Sequence, residues 1–250
     1  MRHSAKQEIE VKLRVADAAA MRRRLRGMGA RAVRRVHEMN TLFDTPQGTL
    51  RKRGRLLRLR EERTQIGKRQ TRYVLTFKGQ VKRKWGRANS LAGSRRYESL
   101  TSVRPPARDE RDMSYKSGGQ AGKPVLRKPA ESRRYKVREE TEYIVGDPRA
   151  FWAVAGPAGL RPSFRYEKFR TSYSIPGASG VHVEFDETPA GVFLELEGPR
   201  RAIDRLARRL GYRPADYITR SYAALHFEEC RRRGKRAGDM VFGGRKVMPG

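Results

Sequence analysis

The feature that most constrains this chain is an alternation of charged and apolar residues that keeps returning along it. In Glu8 to Val15 the charges fall at Glu8, Glu10, Lys12 and Arg14, and the apolar residues at Ile9, Val11, Leu13 and Val15. Period 2 predicts a β-strand with one charged and one apolar face. A single such strand would be an ordinary surface strand. The pattern recurs in Arg55 to Arg60, where Arg58 and Arg60 oppose Leu57 and Leu59. In Tyr73 to Lys78, Val74, Thr76 and Lys78 oppose Leu75 and Phe77. After Lys136, Arg138, Glu140 and Glu142 oppose Val137, Thr141 and Tyr143. In Lys168 to Ile175, Lys168 and Arg170 oppose Phe169, Thr171, Tyr173 and Ile175. Glu184 and Asp186 oppose Val181, Val183 and Phe185, and Glu195 and Glu197 oppose Val192, Leu194 and Leu196.

Helices are expected between these strands. Asp17 can cap one that ends near Gly27 or Gly29. Asp147-Pro148 starts another, running through about Val154. Pro199 to Gly211 carries an inward stripe of Ile203, Leu206 and Leu210, and Ser221 to Cys230 forms a last helix. Apolar helix stripes and apolar strand faces must cover each other. The arrangement that satisfies both is an α+β fold: a closed or nearly closed antiparallel β-barrel, helices packed outside, charges lining the interior.

A charged lumen is costly unless its charges pair or hold ligands. The cations are Lys12, Arg58, Arg60, Lys78, Arg138, Lys168 and Arg170. The anions are Glu8, Glu10, Glu140, Glu142, Glu184, Asp186, Glu195 and Glu197. Strands of arginine and lysine suit a phosphate chain, because guanidinium forks match phosphate oxygens. Carboxylates at alternate positions suit Mg²⁺ or Mn²⁺. Together they point to metal-assisted phosphoryl chemistry. Other chemistries find little support. His3, His37, His182 and His226 show no metal-ligand spacing, and the single cysteine, Cys230, can form no intrachain disulfide. There is no dinucleotide fingerprint and no nucleophile elbow.

The net charge of +31 suggests anionic partners. Phosphorylated small molecules, nucleic acid reached through the basic insertion and tail, and an acidic membrane surface are the candidates. No apolar run approaches membrane-spanning length. The start of the chain lacks the apolar stretch of a signal peptide, so a cytoplasmic protein is expected. Residues 79–134 carry Gly, Ser, Pro, Lys and Arg without a sustained period and are expected to be a loosely ordered basic insertion. Within them Gly118 to Pro124 looks superficially like a phosphate loop, but the spacing is short and Pro124 stands where Ser or Thr should be. Residues 231–250 are expected to be a loose basic tail, leaving 1–230 as the interrupted barrel domain.

Taken in order, the strand motifs resemble those of the CYTH family, the triphosphate tunnel metalloenzymes, a family that includes class IV adenylyl cyclases and thiamine triphosphatases. The resemblance lies in Glu8-x-Glu10-x-Lys12, Leu57-Arg58-Leu59-Arg60, Thr76-x-Lys78, Arg138-x-Glu140-x-Glu142, Lys168-x-Arg170, Asp186, Glu195-x-Glu197 and Ser221-Tyr222. It runs from about Glu8 to Tyr222. It implies an eight-stranded antiparallel barrel whose basic residues hold a triphosphate and whose acidic residues hold one or two Mg²⁺ or Mn²⁺. On that implication Lys12, Arg58, Arg60, Lys78, Arg138, Lys168, Arg170 and Arg220 contact phosphate. Arg220 departs from the family, since many members have lysine before the Ser-Tyr pair. Glu8, Glu10, Glu195 and Glu197 hold metal, with Glu140, Glu142 and Asp186 assisting. The expected activity is a metal-dependent phosphohydrolase acting on inorganic or organic triphosphate. An adenylate cyclase and a non-catalytic binder of polyphosphate or RNA are the alternatives. No residue is singled out as general base.

Overall fold

The computed structural model describes residues 6–80 and 134–244. Eight strands are formed: β1 (Lys6–Val15), β2 (Arg31–Asp44), β3 (Leu56–Thr64), β4 (Thr71–Gln80), β5 (Lys136–Val145), β6 (Arg161–Ser174), β7 (His182–Thr188) and β8 (Gly191–Glu197). All pair antiparallel and close into one barrel in the order β1-β5-β4-β3-β2-β6-β7-β8. The registers fix which residues share a face. Lys12 stands opposite Glu195, Glu10 opposite Glu197, Arg170 opposite Asp186, Arg58 opposite Thr76, and Lys78 opposite Glu140. The charged faces therefore point inward, as the alternation requires.

The apolar core lies outside the barrel wall. Val11 and Leu13 of β1, Phe185 of β7 and Leu194 and Leu196 of β8 are fully buried. Two helices cover them: α1 (Ala18–Gly27), through Met21 and Leu25, and α4 (Arg200–Arg209), through Ile203, Leu206 and Ala207. The Asp17 carboxylate accepts the Ala20 N–H at 2.9 Å and starts α1. A smaller cluster of Phe43, Leu59 and Ala155 lies under α3 (Pro148–Ala155), with Phe151 packed against it. A four-residue helix, α2 (Thr49–Lys52), follows the turn after β2. The last helix, α5 (Tyr222–Arg232), is capped by the Ser221 hydroxyl, which accepts the Ala224 N–H at 3.2 Å.

Three features differ from the sequence reading. β2 carries no clean alternation and escapes it, because register shifts interrupt the strand near Ala32 and again near Leu42. β4 runs on to Gln80, and the expected insertion otherwise lies in residues 81–133, outside the described residues. The segment after α5 is not wholly loose. Met240 is 1% exposed, its N–H donates to the Arg165 carbonyl and its carbonyl accepts the Glu167 N–H, each at 2.9 Å. β7 pairs with β6 only from Phe169 to Tyr173, so the first half of β6 has an open edge that Met240 fills. Ile218 patches β1 in the same way at Lys12.

One glycine is obligatory. Gly198, just after β8, has φ +154°, and a Cβ there would lie 2.3 Å from the Gly180 carbonyl oxygen. Gly198→Ala is expected to destabilise the barrel by about 3 kcal/mol, combining backbone strain with the clash. Chemical denaturation checks this, and an unchanged midpoint would contradict it.

Candidate active site

The lumen contains a cavity of about 420 Å³. Lys12, Arg58, Arg60, Lys78, Arg138, Lys168 and Arg170 all line it, together with Glu10 and Glu195. The barrel thus brings together every basic residue singled out on its strands. They come from five strands, and the shared parity of each strand aims them at one space.

Arg58 is 5% exposed. One Nη donates to the Thr76 hydroxyl at 3.0 Å and the other to the Tyr166 hydroxyl at 3.4 Å, while its buried Nε has no hydrogen-bond partner. Arg60 donates to Asn40 at 3.2 Å and Glu62 at 3.0 Å, and lies 3.4 Å from Glu38. Lys168 donates to Asp186 at 2.9 Å. Arg170 forms a forked pair with Asp186 at 2.7 and 2.6 Å and also donates to Glu195. Glu38, fully buried, lies 3.4 Å from Arg60, 3.5 Å from Lys168 and 3.8 Å from Arg170. Burial alone would push its carboxyl up, but Arg60, Lys168 and Arg170 outweigh that and hold it well below the usual range.

The carboxylates form a second arc. The Lys12 ammonium bridges Glu10 and Glu195, 3.0 Å from each. Burial opposes ionisation of Glu195, yet Lys12 and Arg170 hold its carboxyl well below the usual range. Lys136 also reaches Glu10. Burial, with Lys12 close by, pulls the Lys136 ammonium down to about 8 although Glu10 opposes this. Lys78 lies 2.8 Å from Glu8 and 3.1 Å from Glu140. Burial raises the Glu140 carboxyl to about 7, with Lys78 opposing and Glu8 adding to the rise. Among the described residues no group of three His, Cys, Asp or Glu side chains stands ready to cage a metal. Lysine ammoniums lie between the carboxylates, and the Glu10–Lys12–Glu195 bridge shows that carboxylates of β1 and β8 can flank one cation.

The remaining singled-out residues divide. Glu197 shares the lumen face of β8, opposite Glu10. Asp186, fully buried, accepts from Lys168, Arg170 and the Tyr222 hydroxyl, the last at 2.7 Å. Glu142 accepts the Thr76 hydroxyl at 3.0 Å and has a 46% exposed side chain. Arg220 does not line the cavity. Its side chain is 52% exposed and pairs with Glu228 on α5. The chain turns there so that Ser221 can cap the helix, and this points Arg220 outward while Tyr222 enters the lumen.

Several participants escaped the sequence. Glu38 and Asn40 lie on the unread β2. Glu62 lies two residues beyond the expected end of β3. Lys136 shares parity with Arg138, so period 2 alone could have found it. The cavity mouth was not visible either. Leu42, Phe164, Ala223 and Phe227 build an apolar wall there, beside the turn Asp44 to Gly48. Asp44 fixes that turn by accepting the N–H groups of Thr45, Leu50 and Arg51.

Comparisons with known proteins fit this geometry. A family model described as the CYTH domain matches residues 6–222. A candidate adenylate cyclase of Vibrio parahaemolyticus superposes with a TM-score of 0.57 at 16% identity, covering 89% of this chain and 98% of its own. The PH1819 protein of Pyrococcus horikoshii gives 0.59 at 17% identity, covering 89% and 99%. HpAC1 of Hippeastrum, a candidate adenylyl cyclase described as having a dominant triphosphatase activity, gives 0.50 at 18% identity, covering 92% and 97%. No curated protein sequence matches the chain. Among the described residues no helix is long and apolar enough to cross a membrane. The inward-facing charges, the closed eight-stranded barrel and a family model spanning most of its length make this chain a member of the CYTH family.

Proposed function

We propose that the protein is a divalent-metal-dependent triphosphatase that hydrolyses a phosphoanhydride bond of inorganic triphosphate or of an organic triphosphate. The observation that carries this reading is the convergence of Arg58, Arg60, Lys78, Lys168 and Arg170 on one buried cavity. Guanidinium and ammonium groups fixed before substrate arrives stabilise phosphate charge without reorganising. The orphaned Nε of buried Arg58 is a donor that a phosphate oxygen would satisfy. CYTH enzymes act on triphosphates and are generally metal dependent. In this chain the hard oxygen donors Glu8, Glu10, Glu140, Glu195 and Glu197 suit Mg²⁺ or Mn²⁺. When bound, such an ion neutralises charge on phosphate oxygens. Asp186 and Glu142 instead steady the cations, Asp186 through Lys168 and Arg170 and Glu142 beside Arg58.

A cyclase is the second reading, and the apolar wall at the mouth favours it to the extent that an organic group could rest there. Cyclisation also needs a ribose hydroxyl held in line with the α-phosphate, whereas hydrolysis needs only a positioned water. Purified protein with Mg²⁺ or Mn²⁺, given inorganic triphosphate and ATP at equal concentrations, is expected to release orthophosphate faster than it makes cyclic AMP. Cyclic AMP with pyrophosphate as main products would replace hydrolase by cyclase. No product from any triphosphate would leave a binding protein.

A further inference from the structure

The outer surface of α1 and α4 is rich in arginine, with Glu187 paired to Arg22 at 2.8 Å and the Asp17 cap beside Arg23 as its acidic neighbours. The two helices lie side by side over the same apolar cluster, and an Arg24 Nη donates to the Arg209 carbonyl at 3.0 Å. Arg23, Arg24 and Arg26 of α1 are exposed, as are Arg201, Arg205 and Arg208 of α4. None of these six pairs with a carboxylate among the described residues. Asp204, the one acidic residue on α4, accepts instead from the hydroxyls of Tyr135 and Tyr217. Some exposed arginines elsewhere do pair: Arg63 with Glu61, Arg149 with Asp147, Arg220 with Glu228, and Arg232 and Arg233 with Glu229. Arg23–Arg26, Arg201–Arg205 and Arg205–Arg208 stand at helix-neighbour spacings, where like charges repel.

We propose that this face binds a nucleic-acid duplex through its backbone phosphates. Charge complementarity requires an extended polyanion, because the arginines spread over two helices instead of converging on a point. Neither helix carries an aromatic residue on which a base could stack, so the contact is to the backbone and is independent of sequence. A membrane surface fits less well, since no large apolar side chain stands among the exposed arginines to enter lipid. The site is separate from the lumen, and its success or failure does not depend on the catalytic reading.

The test uses the full chain and a mixed-sequence DNA duplex labelled at one end. One variant changes Arg23, Arg26, Arg201, Arg205 and Arg208 to Gln. A control changes the same number of basic residues outside the described region, Lys82, Arg83, Lys84, Arg87 and Arg95, to Gln. The five-arginine variant is expected to bind the duplex at least tenfold more weakly at moderate salt. Its log–log salt slope should be shallower by about two to four, since each phosphate contact contributes roughly 0.9. The control should lose less. The melting temperature should not fall, because repulsion is removed, and turnover of a small triphosphate should be unchanged. Duplex affinity equal to wild type, or a loss no greater than in the control, would overturn the proposal. So would a larger loss of binding to phosphatidylserine vesicles than to duplex.

Discussion

Glu195→Gln should leave a folded barrel that turns over triphosphate at least a hundredfold more slowly than wild type, about 2.7 kcal/mol of lost transition-state stabilisation. Glutamine keeps the shape of the side chain and removes its charge. Glu195 is the carboxylate that joins the two arcs of the site: Lys12 lies 3.0 Å from it, and Arg170 also donates to it. Its loss therefore removes a candidate oxygen ligand and loosens a cavity-lining arginine together. The effect should appear mainly in kcat, with weaker Mn²⁺ binding to the substrate-free protein. Wild-type turnover with unchanged Mn²⁺ affinity would remove Glu195 from the site.

Arg170→Ala should have the largest effect on stability, about 3–5 kcal/mol at neutral pH. The guanidinium contacts Asp186 and Glu195 and lies 3.8 Å from Glu38, and removing it leaves buried carboxylates short of a cation. The pH dependence gives this loss a signature. In wild type the Glu38 and Glu195 carboxyls are depressed, although burial opposes this. Their contribution is therefore fully present above the unfolded carboxyl value of about 4.5 and fades as pH falls toward the folded values. In the variant, burial meets less opposition, so both carboxyls shift upward and take up protons sooner. The gap in melting temperature between variant and wild type should be widest at pH 7–8 and narrow as pH drops toward 5. A gap independent of pH would mean that Arg170 acts by packing alone.

Much of this site was legible because period 2 in a strand is a strict rule. Once Glu8, Glu10 and Lys12 are assigned to one face, the face of every residue in that strand follows. What escaped did so for physical reasons. On β2 the inward residues Val36, Glu38 and Asn40 are buried, while outward Met39 and Thr41 are only half-buried, so hydrophobicity gives the wrong contrast. The bulges add a phase slip. Arg220 was placed by its neighbour Ser221, but capping geometry at a helix start sends adjacent side chains in different directions. The apolar mouth joins Leu42, Phe164 and Phe227 from three elements, and no local pattern announces such a meeting.

The pairing of β1 with β8 has a consequence for how the protein is made. Lys12 finds its strand partner at Glu195, and it is also bonded to Ile218, later still. At about 5–20 residues per second, the ribosome delivers β1 on the order of ten seconds or more before β8. Through that interval Val11 and Leu13 have neither the helix α4 nor the strand that will cover them. Ring closure is a late, long-range event that no local hairpin can substitute for. A ribosome stalled before Glu195 would therefore hold an open sheet whose apolar face is still uncovered.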